Sequence, residues 1–180
     1  MKKIALGYAA LYFVVLCSCN FTAEKKAEVK IKPVTSSDNT TLNGAIIKND
    51  IDIDVADVKL RSAYLVDADY NPLTENTTRI GEKIYIVIKM DTGWVKENGK
   101  SFIGASERIL TSSGRVVVSA DDIFKDYETT GLDAKDAKVV SLSALITEAE
   151  SVNNFEVQFK VWDKKSAAEV KGKYHFSLKK

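Results

Sequence analysis

The chain has 180 residues, with 26 lysines and arginines against 25 aspartates and glutamates, and a formal net charge of +1. This balance gives no electrostatic reason to expect a nucleic acid as a partner. The length and the hydrophobic fraction of 45% suit one domain that buries its own core, together with a shorter additional segment.

The segment Met1–Cys19 has the features of a bacterial export signal. Lys2 and Lys3 form a short positive region, and Ile4–Leu16 is an uncharged apolar run. That run is shorter than the ~20 residues that span a bilayer as a helix. It ends in Leu16-Cys17-Ser18-Cys19, which resembles the lipobox of bacterial lipoprotein signal peptides. An ordinary secretory signal or an uncleaved anchor is the alternative, but an A-x-A-like cleavage site is absent.

The resemblance implies cleavage between Ser18 and Cys19, with lipid on the Cys19 sulfur and usually on its new amino group. Two or three acyl chains hold a membrane far more strongly than one, so we expect the membrane as a partner through Cys19. Asn20 stands where inner-membrane lipoproteins commonly have Asp. We therefore predict a place on the outer membrane, facing the periplasm. Cleavage would also leave no thiol for an intrachain disulfide, because Cys17 is removed and Cys19 is acylated.

Residues 19–49 are predicted to form a flexible polar tether. They begin with the charged stretch Glu24–Glu28 and pass into a run of Ser, Asp, Asn and Thr around Ser36–Thr41. Polar segments with few aromatic residues rarely pack into a core. The folded domain is therefore expected over residues 50–180.

From Ile51 onward the apolar residues recur with a period of two, which indicates half-buried strands. The clearest pattern is Lys83–Met90, which is rich in β-branched residues. Helical turns are expected near Ile123-Phe124 and Asp133–Ala137. The predicted strands are Ile51–Val55, Val58–Val66, Lys83–Met90, Ser106–Thr111, Arg115–Ser119, Lys138–Ile146, Phe155–Val161 and Val170–Leu178.

Seven or eight short strands, frequent turn signals and no long helical period predict an all-β domain. A two-sheet β-sandwich of immunoglobulin-like architecture fits the strand count and the length. A small β-barrel is the alternative.

Little in the sequence points to catalysis, and we expect neither an enzyme nor a cofactor. His175 is the single histidine. It alternates with Tyr174 and Phe176, so it is expected on the solvent side of the last strand. A general base needs a nucleophile within reach, and no motif marks one.

An acidic cluster consists of Asp50, Asp52, Asp54 and Asp57. Oxygen ligands at alternate positions are the kind that bind calcium, so these residues are a candidate metal site. The loop glycine and the distal glutamate of an EF-hand are missing. The solvated face of a strand is the alternative, because Ile51, Ile53 and Val55 alternate with the aspartates.

Trp94 lies in a polar loop beside Gly93. An exposed indole there would be a candidate contact for a partner protein or a glycan. The alternative is an indole that folds back to cap the sandwich. Trp162, at the end of a strand, is predicted to be structural.

The leading hypothesis is a non-enzymatic envelope lipoprotein that binds another envelope protein as an assembly component. In its signal, tether and fold class the chain resembles small β-sandwich lipoproteins of secretion machines, including the type VI secretion lipoprotein. The resemblance implies partner contact through loops or an edge strand. The alternatives are a module that binds glycan or calcium and a barrel that carries lipid.

Overall fold

Strands account for almost all regular structure in residues 40–148 and 152–179, which are the residues described by the computed structural model. Two short 3-10 helices, Lys125–Tyr127 and Asp136–Lys138, lie close to the predicted helical turns. No helix in these two ranges is both long and apolar enough to cross a membrane. The strands are β1 Thr40–Leu42, β2 Ala45–Ile47, β3 Asp52–Ala56, β4 Lys59–Val66, β5 Thr77–Thr78, β6 Ile84–Thr92, β7 Lys100–Ser101, β8 Ile103–Thr111, β9 Val116–Ala120, β10 Leu132–Asp133, β11 Val139–Ala144, β12 Asn154–Asp163 and β13 Glu169–Leu178.

The strands form two main sheets and one small ribbon. The first sheet has the order β1-β2-β4-β6-β11, and the second has the order β3-β13-β12-β8-β9 with β5 beside β13. β7 and β10 make the ribbon. Pairing is antiparallel except between β2 and β4 and between β13 and β5. Both main sheets keep open edges and form no closed barrel over the described ranges, so the all-β prediction is confirmed and the small barrel is not the fold.

The inner faces of the two sheets meet in one hydrophobic core. The predicted period of two determines which side chains of each strand enter this core, because successive residues of a strand point to opposite faces. Full burial of each such side chain contributes roughly 1.5–3 kcal/mol. The largest contributions come from β6 (Ile84, Ile86, Ile88, Met90), β12 (Phe155, Val157, Phe159, Val161) and β13 (Val170, Tyr174, Phe176, Leu178), all of which are buried.

The folded domain begins before the predicted boundary at Asp50. β1 and β2 belong to the first sheet, and β2 pairs with β4. Ala45 and Ile47 are only 1% and 2% exposed, so they are part of the core. The sequence did not predict β2, because this strand has only three residues and polar residues surround it. The remainder of the predicted tether lies outside the described residues.

Two buried asparagines link the two sheets. Asn49 donates from Nδ2 to the Leu73 carbonyl at 3.0 Å and accepts from the Leu65 amide at 2.9 Å, which ties it to β4. Asn76 donates from Nδ2 to the Asn49 carbonyl at 2.8 Å and to the His175 carbonyl at 2.9 Å, which ties it to β13. These bonds satisfy backbone groups that burial would otherwise leave without partners.

Gly172 allows an unusually close approach between strands of the second sheet. It lies in β13 opposite Ile53 of β3 and Phe159 of β12. A Cβ at this position would overlap the Asp52 carbonyl oxygen and would lie 2.8 Å from the Phe159 ring. The Asp52 oxygen is a backbone atom, so relief would require a shift of the whole strand β3.

We predict that Gly172→Ala lowers the free energy of unfolding by about 1–3 kcal/mol, as overpacking of a core does. Urea denaturation followed by circular dichroism measures it. Lys171→Ala, at the exposed neighbouring position, is the control and should change the stability by less than about 0.5 kcal/mol. Equal stability of Gly172→Ala and the wild type would contradict the close approach.

Candidate binding surfaces

Trp94 is held inside the fold. It lies in the loop between β6 and β7 and is 8% exposed. Its Nε1 donates to the Ala137 carbonyl at 2.8 Å, and the next amide, of Val95, donates to the buried Asp163 carboxylate at 2.6 Å. The residue also lines a pocket of about 250 Å³. The structure therefore corrects the prediction that Trp94 is an exposed contact, and the indole folds back as the alternative expected.

The four aspartates of the predicted calcium site do not converge. Asp52 and Asp54 project from the exposed face of β3. Asp50 and Asp57 lie before and after this strand in left-handed turns, with φ of 49° and 55°. In the part of the chain that the structure describes, no group of three or more His, Cys, Asp or Glu side chains could hold a metal ion. Asp52 and Asp54 therefore belong to the solvated strand face that was the alternative, whereas Asp50 and Asp57 lie in the flanking turns.

The outward face of the second sheet carries a shallow groove. Its volume is about 430 Å³. Register places Asp52, Lys173, Gln158 and Arg108 side by side across four strands, and places Asp54, Lys171, Lys160 and Ser106 in the adjacent row. Directly opposed residues share a face, so these side chains all project to the same side. We call this the sheet groove; besides Phe159 and Gly172 at its floor, it is lined by the polar residues Asp52, Asp54, Ser106, Arg108, Gln158, Lys160, Lys171 and Lys173.

Two glutamates beside the sheet groove engage all three of its lysines. Lys160 and Lys171 contact the Glu169 carboxylate at 2.6 and 3.3 Å, and their hydrogen bonds lower the pKa of Glu169. Lys173 lies 3.9 Å from the Glu156 carboxylate. These are exposed pairs, which contribute little to stability. Register places Glu156 and Glu169 on opposite borders of the groove, so these contacts hold the lysine ammonium groups near both borders.

Three charged side chains of the sheet groove remain without partners among the described residues. Arg108, Asp52 and Asp54 make no side-chain hydrogen bond or ion pair with residues 40–148 or 152–179. Their donors and acceptors are therefore available to a bound molecule. The sequence identified the two aspartates as candidates but not Arg108. The residues beside Arg108 in the groove belong to strands that are distant in sequence.

Trp162 lies on the same outward face, although the sequence suggested a structural role. It opposes Gly104 of β8, and a Cβ at Gly104 would overlap the indole. The indole therefore rests on the backbone of β8 and is half-buried. The Lys160 Nζ, which lines the sheet groove, is 6.0 Å from the centroid of the Trp162 ring. The alternation of Trp162 with buried Val161 and Asp163 was the signal for this position.

His175 projects outward from β13, as its alternation with Tyr174 and Phe176 predicted. Its side chain is 32% exposed, and Nε2 lies 3.2 Å from the Glu156 carboxylate. His175 and Glu156 therefore lie side by side in the row next to the sheet groove.

The outward face of the first sheet is aromatic. Tyr70 and Tyr85 stack with ring centroids 5.2 Å apart, and Lys89 lies 5.4 Å from the centroid of the Tyr64 ring. Ile46 and Val139 are 51% and 49% exposed and lie on the Lys89 row of the same face. We call this surface the tyrosine face; it comprises Ile46, Tyr64, Tyr70, Tyr85, Lys89 and Val139.

A glutamate is buried in the second sheet. Glu107 is 4% exposed, and its Oε1 and the Tyr174 hydroxyl have no hydrogen-bond partner among the described residues. Burial raises the pKa of Glu107 to about 7. Burial, and then the charge of Glu107, raise the pKa of the Tyr174 hydroxyl. Glu107 occupies an inward position of β8 between Ala105 and Ile109, and this alternation with buried residues was the signal in the sequence that could have identified it.

Comparison with known proteins identifies no family. No protein-family model and no curated protein matches the chain. One solved structure with a similar fold is the crystal structure of the C-terminal domain of wzt, with a TM-score of 0.45 and 10% sequence identity. The match covers 73% of this chain and 79% of that one. A likeness of this degree carries no information about function.

We predict that Glu107→Gln removes a pH dependence of stability. A carboxyl group whose pKa is higher in the folded than in the unfolded chain stabilises the folded protein fully below about pH 4.5. This contribution is lost as the pH rises to about 7. Since one pKa unit is worth ~1.4 kcal/mol, the variant should be more stable than the wild type by up to about 3 kcal/mol at pH 8.

Chemical denaturation of both proteins at pH 4.5 and pH 8 measures this difference. At the lower pH the two should have similar stability, because Glu107 is then neutral in the folded chain and only about half ionised in the unfolded chain. A difference in stability that does not change between the two pH values would contradict the assignment.

Proposed function

We propose that this chain is a non-enzymatic lipoprotein of the bacterial envelope, anchored in the outer membrane through Cys19 and facing the periplasm. Its β-sandwich, which we propose to be of immunoglobulin-like type, binds another envelope protein as an assembly component. The Leu16-Cys17-Ser18-Cys19 motif supports the anchor. The proposal concerns binding because the sequence pairs no nucleophile motif with the single histidine, His175.

The tyrosine face is the observation that supports a protein partner best. Tyrosine is enriched at protein interfaces, since its ring supplies apolar contact area and its hydroxyl supplies a hydrogen bond. Tyr70 is 58% exposed and projects with its stacked neighbour Tyr85. Ile46 and Val139 extend the surface with exposed aliphatic side chains. Mutual burial of such side chains is the main favourable term in protein association.

The free edge of β11 adjoins this surface. β11 pairs with β6 on one side, and no described strand pairs with its other side. An edge with unpaired amide and carbonyl groups can accept an extended strand of a partner. Val139, on the tyrosine face, belongs to the same strand. A partner could therefore contact the edge and the tyrosine face together.

The anchor is tested by substitution of its acceptor. We predict that Cys19→Ser abolishes incorporation of a palmitate analogue and moves the protein from the membrane fraction to the soluble fraction, because the thioether cannot form. Cys17→Ser is the matched control and should retain the label. Labelling of Cys19→Ser at the level of the wild type would contradict the lipobox.

The partner surface is tested by crosslinking in the protein's own envelope. A photoreactive phenylalanine analogue at Tyr64 should give one dominant protein adduct, and the same analogue at Ser119, on the second sheet, should not. Ile46→Glu combined with Val139→Glu should reduce this adduct at least about tenfold, because charges are disfavoured in the core of an interface. The control is Val118→Glu, another exposed valine. Equal adducts from both sites, or none, would contradict the proposal.

A further inference from the structure

We propose that the sheet groove binds an uncharged oligosaccharide. This site lies on the second sheet and is independent of the protein contact proposed for the first. Three features of the groove favour such a ligand: its charge balance, its side chains without partners among the described residues, and the indole at its border.

The charge balance of the groove favours a neutral ligand. Arg108, Lys160, Lys171 and Lys173 are opposed by four carboxylates, those of Asp52, Asp54, Glu156 and Glu169. The surface therefore has no net charge. An anionic ligand would be repelled by the two free aspartates, and a cationic ligand would be repelled by Arg108 and the lysines.

The unpartnered groups require a ligand that both donates and accepts hydrogen bonds. Carboxylates only accept, a guanidinium only donates, and the amide of Gln158 does both. Sugar hydroxyls also do both, so one chain of hydroxyl groups can satisfy Asp52 and Arg108 together. Hydrogen bonds to charged groups are stronger than those between neutral groups. Three inter-strand spacings of ~4.8 Å separate β3 from β8, which gives ~14 Å, the length of a short oligosaccharide.

Trp162 supplies the apolar part of the site. A sugar ring has a face of C–H groups, which packs against the electron-rich face of an aromatic ring. The Trp162 indole lies against the backbone at Gly104 and next to the groove residue Lys160. The indole therefore continues the polar groove with a flat apolar surface, and a saccharide that crosses from Lys160 to Trp162 contacts both.

The test uses isothermal titration of the full chain, purified in a detergent without a sugar headgroup. The probes are cellohexaose, maltohexaose, xylohexaose and chitohexaose, with oligogalacturonate as an anionic and a chitosan oligomer as a cationic comparator. We expect binding of at least one neutral probe that exceeds binding of both charged comparators. No binding of any neutral probe, or a preference for a charged one, would overturn the proposal.

Variants then locate the site. Arg108→Ala and Asp54→Asn should each lower the affinity for the neutral probe about tenfold, as expected when one hydrogen bond to a charged group is lost. Trp162→Ala should weaken it at least as much. Asp57→Asn is the matched control, because Asp57 is an exposed aspartate of the same segment that does not line the groove.

Circular dichroism of each variant separates loss of binding from loss of folding. Arg108 and Asp54 are exposed, so their variants keep the test decisive even if Trp162→Ala unfolds. Unchanged affinity in both the Arg108 and the Asp54 variants, or equal loss in the Asp57 variant, would overturn the placement of the site.

Discussion

The close approach of β3 to β13 at Gly172 determines the arrangement of the second sheet. Without a Cβ there, the edge strand lies against β13, and Ile53 reaches the core while Asp52 and Asp54 project outward. The same contact leaves room for the Phe159 ring on the inner side. One residue without a side chain therefore supports both the packing of the core and the row of charges on the surface. A bulkier residue at this position would push β3 away from β13.

The core must stabilise the described domain without a disulfide, since residues 40–148 and 152–179 contain no cysteine. The sandwich nevertheless contains polar groups that are expensive to bury. Asn49, Asn76 and Asp163 are satisfied by hydrogen bonds that join loops to strands. Glu107 is different, because its Oε1 has no described partner. The first three residues fix loop positions, whereas Glu107 reduces stability at neutral pH.

Patterns local in sequence predicted the strands, and contacts between distant segments explain what was missed. Alternation over Lys83–Met90 identified β6, and the last hairpin was placed correctly. The position of Trp94 depended on a carbonyl 43 residues away, at Ala137, which no local pattern reveals. β2 escaped notice because it is short and pairs in parallel with β4. The sheet groove likewise depends on strand order, since β12 and β13 are what place Arg108 and Asp52 in the same row of the sheet.

The burial of Asn76 has a consequence for production of the protein. Asn76-Thr77-Thr78 has the sequence of an N-glycosylation site, and such sites are modified on surface loops of secreted proteins. Here the side chain is 3% exposed, and its Nδ2 donates to two backbone carbonyls. A glycan attached to the unfolded chain in a eukaryotic secretory pathway would occupy this nitrogen and prevent its burial. Bacterial expression, or replacement of Thr78, the hydroxyl residue that the glycosylation site requires, prevents this modification and keeps the link between the sheets intact.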